Sequence, residues 1–200
     1  MQEKLGANFT AEPVYVGGEQ GALAVSPWYR AAEVLANSVG QAVMEFQRLR
    51  PGHSNTYEKY TYGHGKRMNY LLGVQPNPMM TAMDFWKQIT LQRFNQGNGV
   101  AYVERELGEP IAIWLCSAAS YDYLNDQYVV SYNRPGVGVV SLIAKPEDVI
   151  HWRNTFSQDG GVTGVGTLRY AIGALSTAAT NEKQARDMAA KGGKFKITSK

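Results

Sequence analysis

Apolar positions along the chain change their spacing several times, and each change marks a different element. Trp28, Ala32, Leu35 and Val39 recur at three- and four-residue intervals, which puts them on one helical face. Ser26 offers a side-chain acceptor at the cap, and Pro27 takes the first helical position, where its missing N–H does no harm. A helix is therefore expected over residues 27–39, handing over to a strand through Met44, Phe46 and Gln47. Residues 51–67 hold turn formers, tyrosines and charge without an apolar period. They predict an exposed loop leading into a short helix through Met68, Leu71 and Leu72.

The next helix has the clearest signals. Thr81 is a cap residue, and Asp84, three positions on, is placed to reach back toward the cap N–H as a short version of the capping-box glutamate. Met80 and Phe85 suit a hydrophobic staple, Phe85, Trp86, Ile89 and Phe94 supply a buried face, and Gly97 suits a left-handed stop. This predicts a helix over residues 82–96. From Gly99 to about Ile150 the period falls to two, in GVAYVERE, PIAIWLC, YDYLND, QYVVSYN and VGVVSLI. Leu107-Gly108-Glu109-Pro110, Asn125-Asp126 and Arg134-Pro135-Gly136 punctuate these segments, as in an antiparallel meander, and DVIHWR adds a further strand.

Helical spacing returns after Ser157-Gln158-Asp159-Gly160-Gly161. Leu168, Ile172, Leu175 and Ala179 form a stripe on a helix expected from about Thr167 to Lys191. At 1.5 Å per residue it would be roughly 35–40 Å long, more than the preceding segments could cover. Its small residues, Ala171, Gly173, Ala174, Ser176, Ala178 and Ala179, suit close packing on neighbouring helices. Oligomerisation is the economical expectation. The fold class expected is α+β: helices packed on an antiparallel β meander, followed by a long projecting C-terminal helix. Residues 1–25, glycine-rich and without a clear period, read as a flexible arm.

Composition narrows the function classes. Two hundred residues suffice for one core plus an arm, and no apolar run approaches the roughly 20 residues needed to cross a bilayer. The acidic N-terminus lacks the apolar stretch of a secretory signal, so the chain is expected to be made and kept in a cytoplasm. The net charge of +3 is too slight to announce a nucleic-acid binder, but Lys183, Arg186, Lys191, Lys194, Lys196 and Lys200 concentrate charge at the C-terminal end.

Catalytic constellations are missing from the pattern. Cys116 lies in the apolar IAIWLC and reads as a small buried hydrophobe. His53 and His64 fall in the polar loop and His151 in a strand, with no metal-ligand spacing among them. Neither a phosphate-binding loop nor a nucleophile elbow is present, and no cofactor is expected. His151 reads as a histidine satisfied by hydrogen bonds at a sheet edge, and Glu104, Glu106 and Glu109 as solvating charges of a hairpin. Tyr57, Tyr60 and Tyr62, with Lys59, Lys66 and Arg67, could stack on bases or meet a neighbouring subunit.

Four motifs then fall in a recognisable order. Pro76-Asn77-Pro78-Met79-Met80-Thr81-Ala82 with Asp84-Phe85-Trp86 resembles the P-N-P-x-M-T-x-x-x-F-W signature of tailed-bacteriophage portal proteins. Gly97-Asn98-Gly99-Val100-Ala101-Tyr102-Val103 resembles the turn and strand that follow it in that family. Val34-Leu35-Ala36-Asn37-Ser38-Val39-Gly40-Gln41 is similar to the family's first helix. Val149-Ile150-His151-Trp152-Arg153, Asp159-Gly160 and Gly164-Val165-Gly166-Thr167-Leu168 resemble the segment that opens its long helix. Gly-Thr stands here where Ser-Pro usually precedes the leucine, which weakens the helix cap.

The resemblance implies a non-enzymatic subunit of a ring, usually of twelve copies, at a virion vertex, assembled in the host cytoplasm. Residues 26–163 would form a wing-like domain, 164–193 a stem-like helix and 194–200 the start of a clip-like segment. Lys183, Arg186 and Lys191 would touch double-stranded DNA in the channel without reading its sequence. Leu168, Ile172, Leu175 and Ala179 would pack subunits, and Lys194 and Lys196 would lie on the clip side. Terminase, capsid and head-completion proteins would be partners, and a membrane would not. Family members are about twice this length, so the match is to their N-terminal half. Two other readings remain open at this stage: a virion-associated adaptor or protein-binding domain without a channel, and a small hydrolase centred on His151.

Overall fold

The computed structural model describes residues 6–8 and 26–190. Its order is β1 (Gly6–Asn8), α1 (Ser26–Gly40), β2 (Gln47–Leu49), β3 (Tyr57–Lys59), α2 (Gly63–Gly73) and α3 (Ala82–Gln96). There follow β4 (Asn98–Glu106), β5 (Glu109–Asp122), β6 (Gln127–Arg134), β7 (Gly138–Ala144), β8 (Val149–Arg153) and α4 (Thr167–Ala190). The main sheet is antiparallel, in the order β7-β6-β5-β4-β8, and β1 adds to β5 opposite Ser120–Asp122. The fold is thus α+β, with helices on an antiparallel meander.

Helix α3 joins the two layers because it buries a largely apolar face. Phe85 and Ile89 are fully buried against Ala101, Val103 and Ile113 of the sheet and Met68 and Leu71 of α2. Burial of side chains of this size contributes roughly 1.5–3 kcal/mol each. The Trp86 indole donates to the Leu72 carbonyl at 2.8 Å, so the one polar atom of that side chain is satisfied. At the start of α3 the Thr81 hydroxyl accepts from the Asp84 N–H at 3.2 Å and donates to the Asp84 carboxylate at 2.7 Å. The carboxylate therefore takes the hydroxyl rather than the cap N–H that the sequence suggests. Gly97 ends the helix at φ 93°, as expected of a left-handed cap.

Strand alternation sends the intervening residues to the other face of the sheet. There Val100, Cys116, Ala119, Val130 and Ala144 form a second cluster, and Tyr102, Tyr132 and Trp114 stack with centroids 5.6 and 5.8 Å apart.

Two expectations need correction. Half of the expected loop over residues 51–67 is structured: Gln47–Leu49 pairs with Tyr57–Lys59, and α2 already begins at Gly63. Polar contacts hold this hairpin, which is why no apolar period announces it. Arg48 meets Glu58 at 2.8 Å and Lys59 meets Glu45 at 2.6 Å. The Asn69 side chain accepts from the Phe46 N–H and donates to the Tyr60 carbonyl. Second, PIAIWLC and YDYLND are not separate strands: Tyr121 and Asp122 end the 14-residue β5 that begins at Glu109, residues 123–126 form the turn into β6, and β5 carries a register shift between Cys116 and Ala118. Ser117-Ala118-Ala119-Ser120 contains no Gly, Pro, Asn or Asp, so the strand bends at a bulge instead of reversing.

Candidate functional site: the joint between sheet and helix

The segment between β8 and α4 must carry the chain from the sheet edge back onto the helices, and glycine and asparagine make the turn close. Gly97, just past α3, faces Gly164, just before α4. A Cβ on Gly97 would overlap the Gly164 carbonyl, one on Gly164 would overlap the Gly97 carbonyl, and one on Gly166 would overlap the Asn95 carbonyl. Three glycines therefore let two backbone segments approach closer than side chains allow.

Asn98 fastens the approach. Its Oδ1 accepts from the Gly164 N–H at 2.8 Å and its Nδ2 donates to the Gly164 carbonyl at 2.9 Å. Both backbone groups of one buried residue are thus satisfied by one side chain. Asn154 ties the same two segments from the other strand: its backbone N–H donates to the Gly97 carbonyl at 2.7 Å and its Nδ2 to the Val165 carbonyl at 2.9 Å. Asn98 opens β4 and Asn154 directly follows β8, so the helix root is tied to both strands.

His151 completes the cluster. Because Asn98 Nδ2 donates to Gly164, its Oδ1 is the atom that His151 Nε2 approaches at 3.0 Å, so Nε2 carries the proton. Nδ1 then accepts from the Tyr128 hydroxyl at 3.3 Å. Burial, with help from Arg153, pulls the imidazole pKa down to about 4. The unfolded chain takes up this proton near pH 6.5 and the folded one only near 4. The contribution of neutral His151 is therefore complete above about pH 6.5 and declines as the pH falls to about 4. Replacing His151 with Gln should flatten the loss of urea-unfolding stability between pH 6.5 and 4 relative to wild type. Parallel curves for the two proteins would contradict this.

Helix α4 leaves the joint over α3 and α1. Leu168 and Leu175 are buried with Trp28, and Phe94, Ala171 and Ala178 pack around them. Trp28 stacks on Phe94 at 4.7 Å and its indole donates to the Asn95 carboxamide at 3.3 Å. Leu168 and Leu175 are expected from the resemblance to pack subunits. The structure instead covers both from within the chain, because Trp28 of α1 supplies an apolar partner that the sequence does not reveal. Ile172 is half-buried, while Tyr170, Gly173, Ala174 and Thr177 face outward. Ala179, Lys183 and Arg186 belong to α4, but their side chains fall outside the described residues, as do Lys191, Lys194 and Lys196 altogether.

Other residues singled out from the sequence have structural partners. Glu104 accepts from the Trp114 indole at 2.8 Å and from Arg134 at 2.9 Å. Cys116 is buried, and burial pushes its thiol up to about 12. Arg48 lies over the Tyr60 ring at 5.0 Å. Among the described residues no group of three His, Cys, Asp or Glu could hold a metal ion, and no helix is long and apolar enough to cross a membrane.

The joint brings together the Gly97-Asn98-Gly99 and Gly164-Val165-Gly166 motifs, and the whole arrangement from α1 through α4 matches a family model. That model, described as "Phage portal protein", matches residues 26–198. The chain belongs to the phage portal protein family. Solved structures share this portal fold at low identity. The neck of a native GTA particle computed with C12 symmetry is 15% identical, with a TM-score of 0.59, over 89% of this chain and 44% of that one. The neck of an empty GTA particle computed with C6 symmetry is 16% identical, with a TM-score of 0.61, over 89% and 45%. The virion of a native gene transfer agent particle is 14% identical, with a TM-score of 0.56, over 89% and 44%. This portal-family chain therefore spans a little under half the length of the solved chains it matches. No curated protein sequence matches it.

Proposed function

We propose that this chain is a structural, non-catalytic subunit of a portal ring, the connector between the head and tail of a phage-like virion. The family match over residues 26–198 carries the reading. The solved neck structures, computed with C12 and C6 symmetry, support a ring of sister copies, here proposed as twelve. Residues 26–163 act as the wing, 164–193 as the stem and 194–200 as the start of the clip, and 1–25 as an arm. The joint at Asn98 and Gly164 makes wing and stem one lever, so that force on either is passed to the other.

In this reading α4 packs on neighbouring stems through the small residues of its outward face, Gly173, Ala174 and Thr177, with Ile172 and Ala179 at its margins. Small side chains there let helices approach closely. Lys183, Arg186 and Lys191 contact DNA phosphates in the channel, and Lys194 and Lys196 serve the clip side, where terminase and head-completion proteins dock. The ring assembles in the host cytoplasm and sits at the capsid vertex. Sequence-blind phosphate contacts suit a channel through which DNA must slide.

Mass photometry of the purified chain tests the ring directly. A dominant species near twelve times 22.1 kDa is expected. A persistent monomer at micromolar concentration would contradict it and favour an adaptor domain. For the channel, ring affinity for double-stranded DNA should fall steeply with salt. Lys183→Ala with Arg186→Ala should make the slope of log K against log salt shallower by about 1 for each phosphate that is no longer neutralised. An unchanged slope would remove these residues from the lumen.

A further inference from the structure

The turn between β4 and β5 holds a residue that neither its backbone nor its surroundings favour. Leu107 and Gly108 adopt φ 51° and 84°, a doubly left-handed turn for which Asn-Gly is the ordinary choice. A leucine Cβ is sterically disfavoured there. Nothing among the described residues covers it: Leu107 is 101% exposed. Yet the tip is held firmly: Arg105 donates to the Gly108 carbonyl at 3.2 Å and pairs with Asp148 at 2.6 Å. Glu106 and Glu109 flank the leucine and are both exposed, Glu109 meeting His64 at 2.7 Å. The result is a rigid apolar knob with an acidic rim.

A surface of opposite character lies by the joint. Phe156 and Tyr170 are 68% and 63% exposed, with ring centroids 6.0 Å apart. Arg169 precedes Tyr170 and donates to Gln158 at 3.4 Å, the Arg153 guanidinium lies against Gly161 of the same loop, and both arginines are exposed with no ion pair among the described residues. Exposed aromatic rings next to arginine are the usual composition of an interface centre. Strand β4 begins at the joint and ends at the Leu107 turn, and its length separates the two ends by roughly 25 Å. Knob and patch therefore cannot meet within one chain.

We propose that the Leu107 tip of one copy docks on the Phe156–Tyr170 patch of the next copy in the ring, an inference that rests on the ring reading above. Charge complementarity selects the occupant: the knob flanked by Glu106 and Glu109 and the rings on the loop and helix that carry Arg153 and Arg169 lie on the same chain, so a second copy supplies both halves. Because knob and patch are different surfaces, every copy uses one of each. Such head-to-tail contacts close into rings when the rotation permits.

The test places Leu107→Cys and Tyr170→Cys together in the full chain and treats assembled protein with a short bis-maleimide linker. Buried Cys116 is not expected to react, its thiol being pushed up to about 12. A covalent ladder reaching the full ring is expected from the double variant and none from either single one. A second variant, Leu107→Asn, relieves the turn and should raise the unfolding midpoint by roughly 2–4 °C while lowering the fraction assembled at least tenfold. A purely structural role would move both in the same direction. Normal rings that yield no ladder, or Leu107→Asn rings as abundant as wild type, would overturn the docking and leave the ring standing. A chain that stays monomeric under all conditions would overturn the ring and the docking with it.

Discussion

Gly97→Ala should unfold this protein more readily than any other single added methyl at a positive-φ glycine. Two costs coincide at Gly97: its φ of 93° is unfavourable for an L-residue, and a Cβ would overlap the Gly164 carbonyl. The left-handed conformation alone costs about 1–2 kcal/mol. The overlap cannot relax cheaply, because Asn98 grips Gly164 by both its N–H and its carbonyl. Together they should cost about 3–5 kcal/mol, at the extreme of single substitutions. For a domain of this size that is a fall in unfolding midpoint of roughly 6–20 °C. Gly136 provides the control. It has φ 79° and open space where a Cβ would stand, so Gly136→Ala should cost only about 1 kcal/mol. Equal effects in thermal unfolding would show that the close approach of Gly97 and Gly164 is not what holds the joint.

Asn98→Ala should have the second-largest effect. It strips partners from the Gly164 N–H, the Gly164 carbonyl and His151 Nε2 at once. Each buried polar group left unmade costs about 1–3 kcal/mol, and partial relaxation or water entry brings the expected total to roughly 3–5 kcal/mol. Asn98→Asp separates the contributions, since it keeps an acceptor for Gly164 and His151 and loses the donor. The new carboxylate should also raise the His151 pKa from about 4, which imidazole NMR titration reads directly. Urea unfolding that ranks Asn98→Ala with ordinary surface substitutions would contradict the clamp.

The contrast between α3 and the joint shows what a single sequence makes legible. Helix α3 is readable to the residue because its determinants are local: Thr81 at the cap, Phe85, Trp86 and Ile89 on one face, Gly97 at the stop. The hairpin over Gln47–Leu49 and Tyr57–Lys59 is not, because its partners are charges and the Asn69 carboxamide rather than alternating apolar residues. Strand β5 reads as two strands for a related reason: its small-residue middle looks like a break in pattern but is only a bulge. At the joint the motif residues are visible as a family resemblance, while their contact is not. Asn98 and Gly164 lie 66 positions apart, and nothing local in either segment names the other. Asn154 and Trp28 carry a weaker clue, polar or aromatic groups beside a helix end that need burial partners. The stripe of α4 is apolar, as its spacing predicts, but Trp28 covers Leu168 and Leu175 from within, which moves any packing on a neighbour to the opposite side of the helix.

The central claim, that sister copies of this chain close around a hole, is tested most directly by electron microscopy of the purified protein. End-on class averages should show rotationally symmetric rings with an open centre wide enough for a DNA duplex. Compact particles of one-chain size, without symmetry or a central opening, would contradict it.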